Sequence, residues 1–484
     1  MTLARSKPAP LPIVWLVTVA LMSGGCGDDD GPSGAPDGAA DAAPSCDVAE
    51  VRARLVDAAA TPGAVVELGA CTYEGPLEVP PGVTLRGRGS DQTTLASGAD
   101  VPAIALLPGA GSSRVESLAL RVDGHVGVLA EGEGAVAIRD VRVTVERGIG
   151  IAVGGRASLV LEDVELASTT DRAALGDLAP DVARREAPTY GLVVLDVGDV
   201  TLTRVSARAF AHGGVVVVRS PLVWTDGGVS DSRGVGIGVW ASTARLENVR
   251  VEGTVRGRVL STMAMLAADG AALTTLGCAL DANDSIGLLH DASTGVHDSL
   301  DVQGSRGPAV WTQRSTSLRV EGSTLRDNRI AGVIAIDSSG VQVVDTAIES
   351  TELGVPPGDF GDRAPTGDGV HVIRDDGEAL DVVLDRVTLA GNVRVGVMLD
   401  AAGGAFGTSS LASVSVDGSG EALGAVAQRI VDLPVGWDDS VERLGVTAAN
   451  DERFADLLSA VGIVMPPELP AGLEDGMLST LLGP

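Results

Sequence analysis

The sequence predicts an all-β solenoid, a single domain in which short parallel strands stack coil upon coil. Three observations lead there. A glycine recurs with the same apolar sequel, as in Gly127-Val-Leu-Ala, Gly150-Ile-Ala-Val, Gly191-Leu-Val-Val and Gly332-Val-Ile-Ala. Nine and eleven residues after these glycines come Val136 and Ile138, Leu159 and Leu161, Val200 and Leu202, and Val341 and Val343. Fourteen and sixteen residues after them come Val141 and Val143, Val164 and Leu166, Val205 and Ala207, and Thr346 and Ile348. Two inward pairs, each with a period of two, mean two short strands per unit, and a third strand starts at the glycine itself.

The anchors continue through Gly214, Gly236, Gly287, Gly307, Gly369 and Gly396, with Gly257 a less regular member. A unit of two dozen residues cannot bury its own apolar face, so consecutive units stack and share one core. With strands about 4.8 Å apart, about 11 or more coils make a rod on the order of 50 Å long. The chain is therefore one elongated domain rather than the three that its 484 residues suggest. Two long gaps insert extra chain at the same point of the coil, just before the next glycine. The first, about Thr169 to Thr189, contains Asp171-Arg-Ala-Ala-Leu and fits a short helix; the second, about Thr351 to Asp368, contains Pro356-Pro-Gly and reads as an irregular loop. Both project from one edge.

At the N-terminus, Arg5 and Lys7 precede the apolar run Leu11 to Met22 and the small residues Ser23-Gly-Gly, which makes residues 1–25 a signal peptide. The run is too short to span a membrane comfortably. The segment resembles the lipobox of bacterial lipoproteins, in which Cys26 would become the lipidated first residue. Ser23 stands where that box has leucine, so ordinary cleavage nearby is the alternative. The expected location is the cell envelope, as an outer-membrane lipoprotein of a Gram-negative bacterium, since Gly27 is not the aspartate linked to inner-membrane retention. Residues 26–45, rich in Asp, Gly, Ala and Pro, read as a disordered tether.

Residues 46–62 form the N-terminal cap helix. Val48, Val51, Leu55 and Ala59 share one face, and Asp47 with Glu50 fits a capping box. Such a helix shields the exposed end of a strand stack. In an exported protein Cys46 and Cys71, which flank this unit, are a reasonable disulfide pair, and Cys278 is left as a buried core residue.

The stretch Gly69-Ala-Cys-Thr-Tyr73, then Pro76-Leu-Glu-Val-Pro-Pro-Gly82-Val-Thr-Leu-Arg-Gly-Arg-Gly89, resembles the opening of the pectin lyase-like superfamily. Later units such as Leu389-Ala-Gly-Asn-Val-Arg-Val-Gly396 resemble its parallel β-helix repeat. The resemblance spans about residues 46–430 and implies a single-stranded right-handed parallel β-helix, here over 63–430. It is specific for fold and poor for function, because the same fold carries lyases, hydrolases, epimerases, adhesins and inert repeats. After Arg429 the repeat breaks, and the amphipathic segments from Asn450 and from Leu473 make 431–484 a short helical C-terminal cap or tail.

Acidic residues outnumber basic ones 65 to 35, for a net charge of −30, which disfavours nucleic acid and anionic lipid surfaces as partners. Any membrane contact runs through the lipid anchor. Calcium is the one cofactor that the acidic surplus admits. The Asn-Thr-Asp, Gly-His-Gly and Arg-Ile-Lys motifs of polygalacturonase-type hydrolases are missing. A lyase site would need a base and a cation on one surface. The candidates are turn residues before successive glycines: Asp231, Arg233, Asp281, Asp284, Arg306, Asp327 and Arg329, with Arg256 and Arg326 beside them. Solvated turns with offsetting charges explain them more simply. Trp240 and Trp311 each follow a glycine by four positions and are the candidate sugar-stacking rings, with packing inside a wide coil as the simpler role. The five histidines lack metal-ligand spacing. The expectation is an exported β-helix protein with a non-catalytic binding or surface-structural role towards polysaccharide or another envelope component. A polysaccharide lyase or glycoside hydrolase is the alternative.

Overall fold

A computed structural model describes residues 46–97, 101–169, 189–255, 262–354, 366–374, 378–401, 407, 409–417, 423–428 and 447–449. The fold is the expected parallel β-helix, with about 13 turns and one helix. Its logic is clear in the coil that begins at Tyr190. Strand Tyr190–Leu195 ends at Asp196, Val200 to Thr203 ends at Arg204, and Val205 to Arg208 ends at Ala209. These three corner residues have φ of 53°, 52° and 63°. A single left-handed residue turns the chain without a loop, which is why the inward positions skip from the eleventh to the fourteenth. Asp140, Asp163, Asp226 and Asn248 take the same conformation at the second corner of other coils. Asp and Asn tolerate it better than most residues.

The strands stack in register as three parallel sheets. In the first, Tyr190–Leu195 lies between Ile149–Gly154 and Gly213–Val218. The second aligns Leu159, Val200, Leu222 and Ala244, and the third aligns Val164, Val205, Gly227 and Val249. Val136, Leu159 and Val200 are buried in the shared core, as their periodicity requires. Two anchors differ from expectation. Register places Ala309, not Gly307, beside Gly332, and Ala264, not Gly257, beside Gly236 and Gly287. The position selects a small residue rather than glycine alone, and a motif built on glycine misplaces those two coils.

Cap helix Val48–Ala58 is capped by Asp47, whose Oδ1 accepts from the Ala49 amide at 2.8 Å. Val51, Leu55 and Ala58 are buried, while Ala59 is exposed and ends the helix. Cys46 and Cys71 are joined as a disulfide with Cα atoms 5.7 Å apart. Cys278 is buried, and its thiol approaches the Leu246 carbonyl at 3.6 Å. The base of the second insertion is closed by an antiparallel bridge between Gly354 and Thr366. The signal, Cys26, the tether, the interior of both insertions, and the segments from Asn450 and Leu473 lie outside the described residues; strand Thr447–Ala449 extends the first sheet.

First-sheet strands carry a feature the repeat analysis missed. All six residues are buried in Tyr190–Leu195, Gly213–Val218, Val235–Trp240, Met263–Ala268 and Ile286–Asp291. Leu192 and Val194 face the core. Val193, Val216, Leu266, Leu289 and Ile334 face outward and form a second apolar cluster. Parallel strands buried on both sides read as unbroken apolar runs.

Candidate functional site

Of the seven turn candidates, Asp284 and Arg306 pair with each other, and Asp281 and Arg329 pair with residues outside the set. Asp231 and Asp327 are corner residues with φ of 55° and 54°, so conformation accounts for their identity. Asp327 accepts a long hydrogen bond of 3.4 Å from Gln303. Arg306 pairs with Asp284 at 3.3 Å, Arg329 with Glu352 at 3.1 Å, and Arg250 with Asp281 at 2.8 Å. Burial raises the Asp281 carboxyl, with Arg250 opposing that shift. Arg233 is buried in the backbone ladder beside Val255. Among the described residues, no three His, Cys, Asp or Glu side chains are grouped to hold a metal ion. Arg256 lies outside the described residues.

Both tryptophans are covered, which corrects their candidacy as stacking platforms. Trp240 is 4% exposed and Trp311 0%. With the anchor moved to Ala309, Trp311 sits beside Leu289 and Ile334, and Trp240 beside Val218 and Ala268. They occupy neighbouring columns of the apolar outer cluster. The Trp240 ring lies across Gly238, leaving no room there for a Cβ.

An open groove lies instead on the outer side of the third sheet. One column there runs Arg142, Glu165, Ser206, Gly228, Arg250, and the next runs Thr144, Ala167, Arg208, Ser230, Glu252. In the first column long side chains flank the short Ser206 and Gly228, and in the second Arg208 rises between the short Ala167 and Ser230. One depression of about 270 Å³ lies over Ser206, Gly227, Gly228 and Ser230. A second, of about 440 Å³, lies over Thr144, Ala167 and Asp231, and the two share Glu165 and Arg208 as common wall. The floor stays low at Gly228, where a Cβ would collide with the Arg250 carbonyl. Arg142 is neutralised by Glu165 at 3.0 Å and Arg250 by Glu252 at 2.7 Å. The hydrogen bond that Arg250 donates to Glu252, then the charge of Asp281, raises the Arg250 pKa above its ordinary value. Arg208 is exposed and, among the described residues, has no carboxylate partner.

A second polar cluster interrupts the apolar outer side of the first sheet. Asp368 and His371, on strand Gly367–Arg374, are both 0% exposed, and Arg394 is 9% exposed in its side chain. Arg394 grips both oxygens of Asp368 through Nε and Nη2. His371 Nδ1 lies 3.0 Å from Asp368 Oδ2. Burial alone would raise the Asp368 carboxyl; the charge of Arg394, helped by His371, more than offsets that and holds it below its ordinary value. His371 Nε2 and Arg394 Nη1 are buried without a partner. Sequence reasoning missed both clusters. The signal for the second was a histidine two places after Gly369, where Gly191 and Gly214 are followed by Val193 and Val216. The groove was signalled only by small outward residues in the third strand of each coil.

No protein-family model matches the sequence, and no curated protein sequence matches it. Solved structures with similar backbones include the catalytic unit of a thermostable α-1,3-glucanase from Streptomyces thermodiastaticus. It is 14% identical, with a TM-score of 0.44 over 81% of this chain and 70% of that one. The A-module of a mannuronan C-5 epimerase from Azotobacter vinelandii is 16% identical, with a TM-score of 0.39 over 81% and 96%. A surface adhesin of Streptococcus pneumoniae is 10% identical, with a TM-score of 0.32 over 61% and 84%. At such distances the likeness assigns no role.

Proposed function

We propose that this is an exported protein of the cell envelope that holds a polyhydroxylated polymer along its third sheet without cleaving it. One observation carries the reading: exposed Arg208, without an ionic partner among the described residues, stands between two adjoining depressions floored by serine, threonine and glycine. A guanidinium offers five donors in a plane, and each serine hydroxyl both donates and accepts, so the groove suits hydroxyls or carboxylates of a glycan. Coils repeat about every 4.8 Å, so a polymer along the stack meets similar backbone at each step. The disulfide of Cys46 and Cys71 supports an oxidising compartment. The N-terminal signal supplies the route out, and lipidation of Cys26 the anchor. Retention on immobilised glycans, neutral and uronic, tests the binding claim. Retention that survives Arg208→Ala with Ser206→Val would remove it. Mass spectrometry of the mature N-terminus tests the anchor, and an unlipidated chain starting elsewhere would refute it.

A catalytic reading has one observation in its favour. If Asp368 holds the Nδ1 proton of His371, Nε2 keeps a lone pair for proton abstraction and Arg394 Nη1 a donor for an anion, once the cover over these buried atoms opens. Release of unsaturated or reducing ends from a glycan panel, abolished by His371→Ala in a folded protein, would replace the non-catalytic reading. Its absence across the panel would leave binding alone.

A further inference from the structure

Two imidazoles meet inside the coil that begins at Ile286. His290 lies on strand Ile286–Asp291 and His297 on Thr294–Asp298, and both are 0% exposed. Their Nε2 atoms are 2.8 Å apart. His290 Nδ1 is 2.8 Å from Ser293 Oγ, and His297 Nδ1 is 2.9 Å from Thr275 Oγ1. In two neutral rings one Nε2 donates and the other accepts, and the hydroxyls complete the chain at either end. Gly295 makes room for this contact. A Cβ there would lie 2.5 Å from His290 Cε1 and 2.7 Å from His297 Nε2.

Among the described residues, no charge inside the solenoid balances a protonated ring. Ala267 and Thr312 flank His290 in its column, and Thr275 and Val320 flank His297. The charged groups on the strands packed around the pair are Asp281, Asp291, Asp298, Asp301, Arg319, Glu321 and Arg326. All occupy outward positions of their strands. Arg319 pairs with Glu321, and Asp291 with Arg314. Cys278 is the titratable inward residue of the neighbouring strands, and burial raises its thiol pKa, keeping it neutral.

We infer that this histidine pair is an acid-sensitive joint: below neutral pH the coils around it open locally, while coils on either side stay folded. In a stack of repeats each coil depends mainly on its neighbours, so opening need not spread. Burial pushes His290 down to about 3, and burial followed by the neighbouring His290 holds His297 well below its ordinary range. In an opened coil both rings return to about 6.5. The opened form therefore takes up protons that the folded form refuses. Opening is insensitive to pH above about 6.5 and grows as pH falls from there towards 3. Two protons raise the opening constant up to about 100-fold per pH unit. The inference does not depend on what the groove binds.

Hydrogen exchange read by mass spectrometry, corrected for the intrinsic pH dependence of exchange, tests it. Between pH 7 and pH 5, protection of peptides spanning 286–298 should fall at least about 100-fold. Peptides spanning 200–208 should change less than about tenfold. The double variant His290→Leu with His297→Leu should abolish the difference. Equal pH response of the two regions, or an undiminished response in the double variant, would overturn the proposal. Should that variant not fold, carbon-13 shifts of the wild-type imidazoles decide. Both rings should stay neutral in the folded protein down to pH 5, and a ring titrating near 6.5 there would sink the idea.

Discussion

The outer sides of the first and third sheets are built by the same repeats and carry opposite chemistry. On the first, Val193, Val216, Leu266 and Ile334 form a buried apolar layer. On the third, Glu165, Ser206, Arg208, Ser230 and Glu252 line an open polar groove. The inward faces of both are alike, Leu192 and Val194 against Val205 and Ala207. The stack is thus closed by its inward pattern alone, which leaves each outer side free to take a separate task. The first sheet uses its freedom for a second packed layer, and the third for an accessible surface.

The sharpest way to break this comparison is to put the same charge on both sides. Leu266→Asp should cost several kcal/mol, because a carboxylate there would be buried between Gly238 and Leu289 without a partner. Ser206→Asp, on the exposed groove floor, should stay within about 0.5 kcal/mol. Urea unfolding midpoints of the two variants measure the difference, and equal effects would refute the contrast. Trp311→Ala should cost about 3–5 kcal/mol as a buried ring is lost. Trp311→Phe, if folded, should retain glycan as well as the parent; a selective loss of retention would restore Trp311 as a ligand contact.

Smaller effects sharpen the picture at the ends and edges. Cys71→Ser should cost about 2–4 kcal/mol, with exchange protection lost first in helix Val48–Ala58. Uniform loss along the solenoid would mean that the disulfide does more than hold the cap. Arg208→Ala should lower glycan retention about tenfold, the equivalent of one good charged hydrogen bond, without moving the unfolding midpoint. The least effect is expected from Arg204→Ala. Arg204 bonds Asp163 and Glu162 on a solvated surface, and its hydrogen bond lowers the Asp163 carboxyl. That contribution exists above the ordinary carboxylate pKa and fades as pH falls through the lowered one. The change in Tm should be small and should vanish in high salt.

Much of the fold was legible because it depends on spacing. Inward residues such as Val136 and Leu159 alternate with a period of two, and the corner between them and Val141 or Val164 shows as a skipped residue. Ala264 and Ala309 were not legible as anchors, since only strand register shows that a small side chain suffices there. The runs Gly191-Leu-Val-Val-Leu and Gly214-Val-Val-Val-Val already carried the sign of double burial, apolar residues at both parities. Trp240 and Trp311 belong to that sign. Separated from their strands, they resembled ligand-stacking rings instead.

Sequence by itself determined the coil, its three strands, its corners and its cap, because backbone conformation and apolar period are local properties of a repeat. Only the tertiary structure decided which outer side is covered, that Arg208 has no ionic partner among the described residues while Arg142 and Arg250 are paired, and that His290 and His297 share a hydrogen bond. The reason is physical. Exposure and the ion pairs between coils depend on residues 22 or 23 positions away along the chain and one strand spacing away in space, while His290 and His297 meet across the inside of one coil.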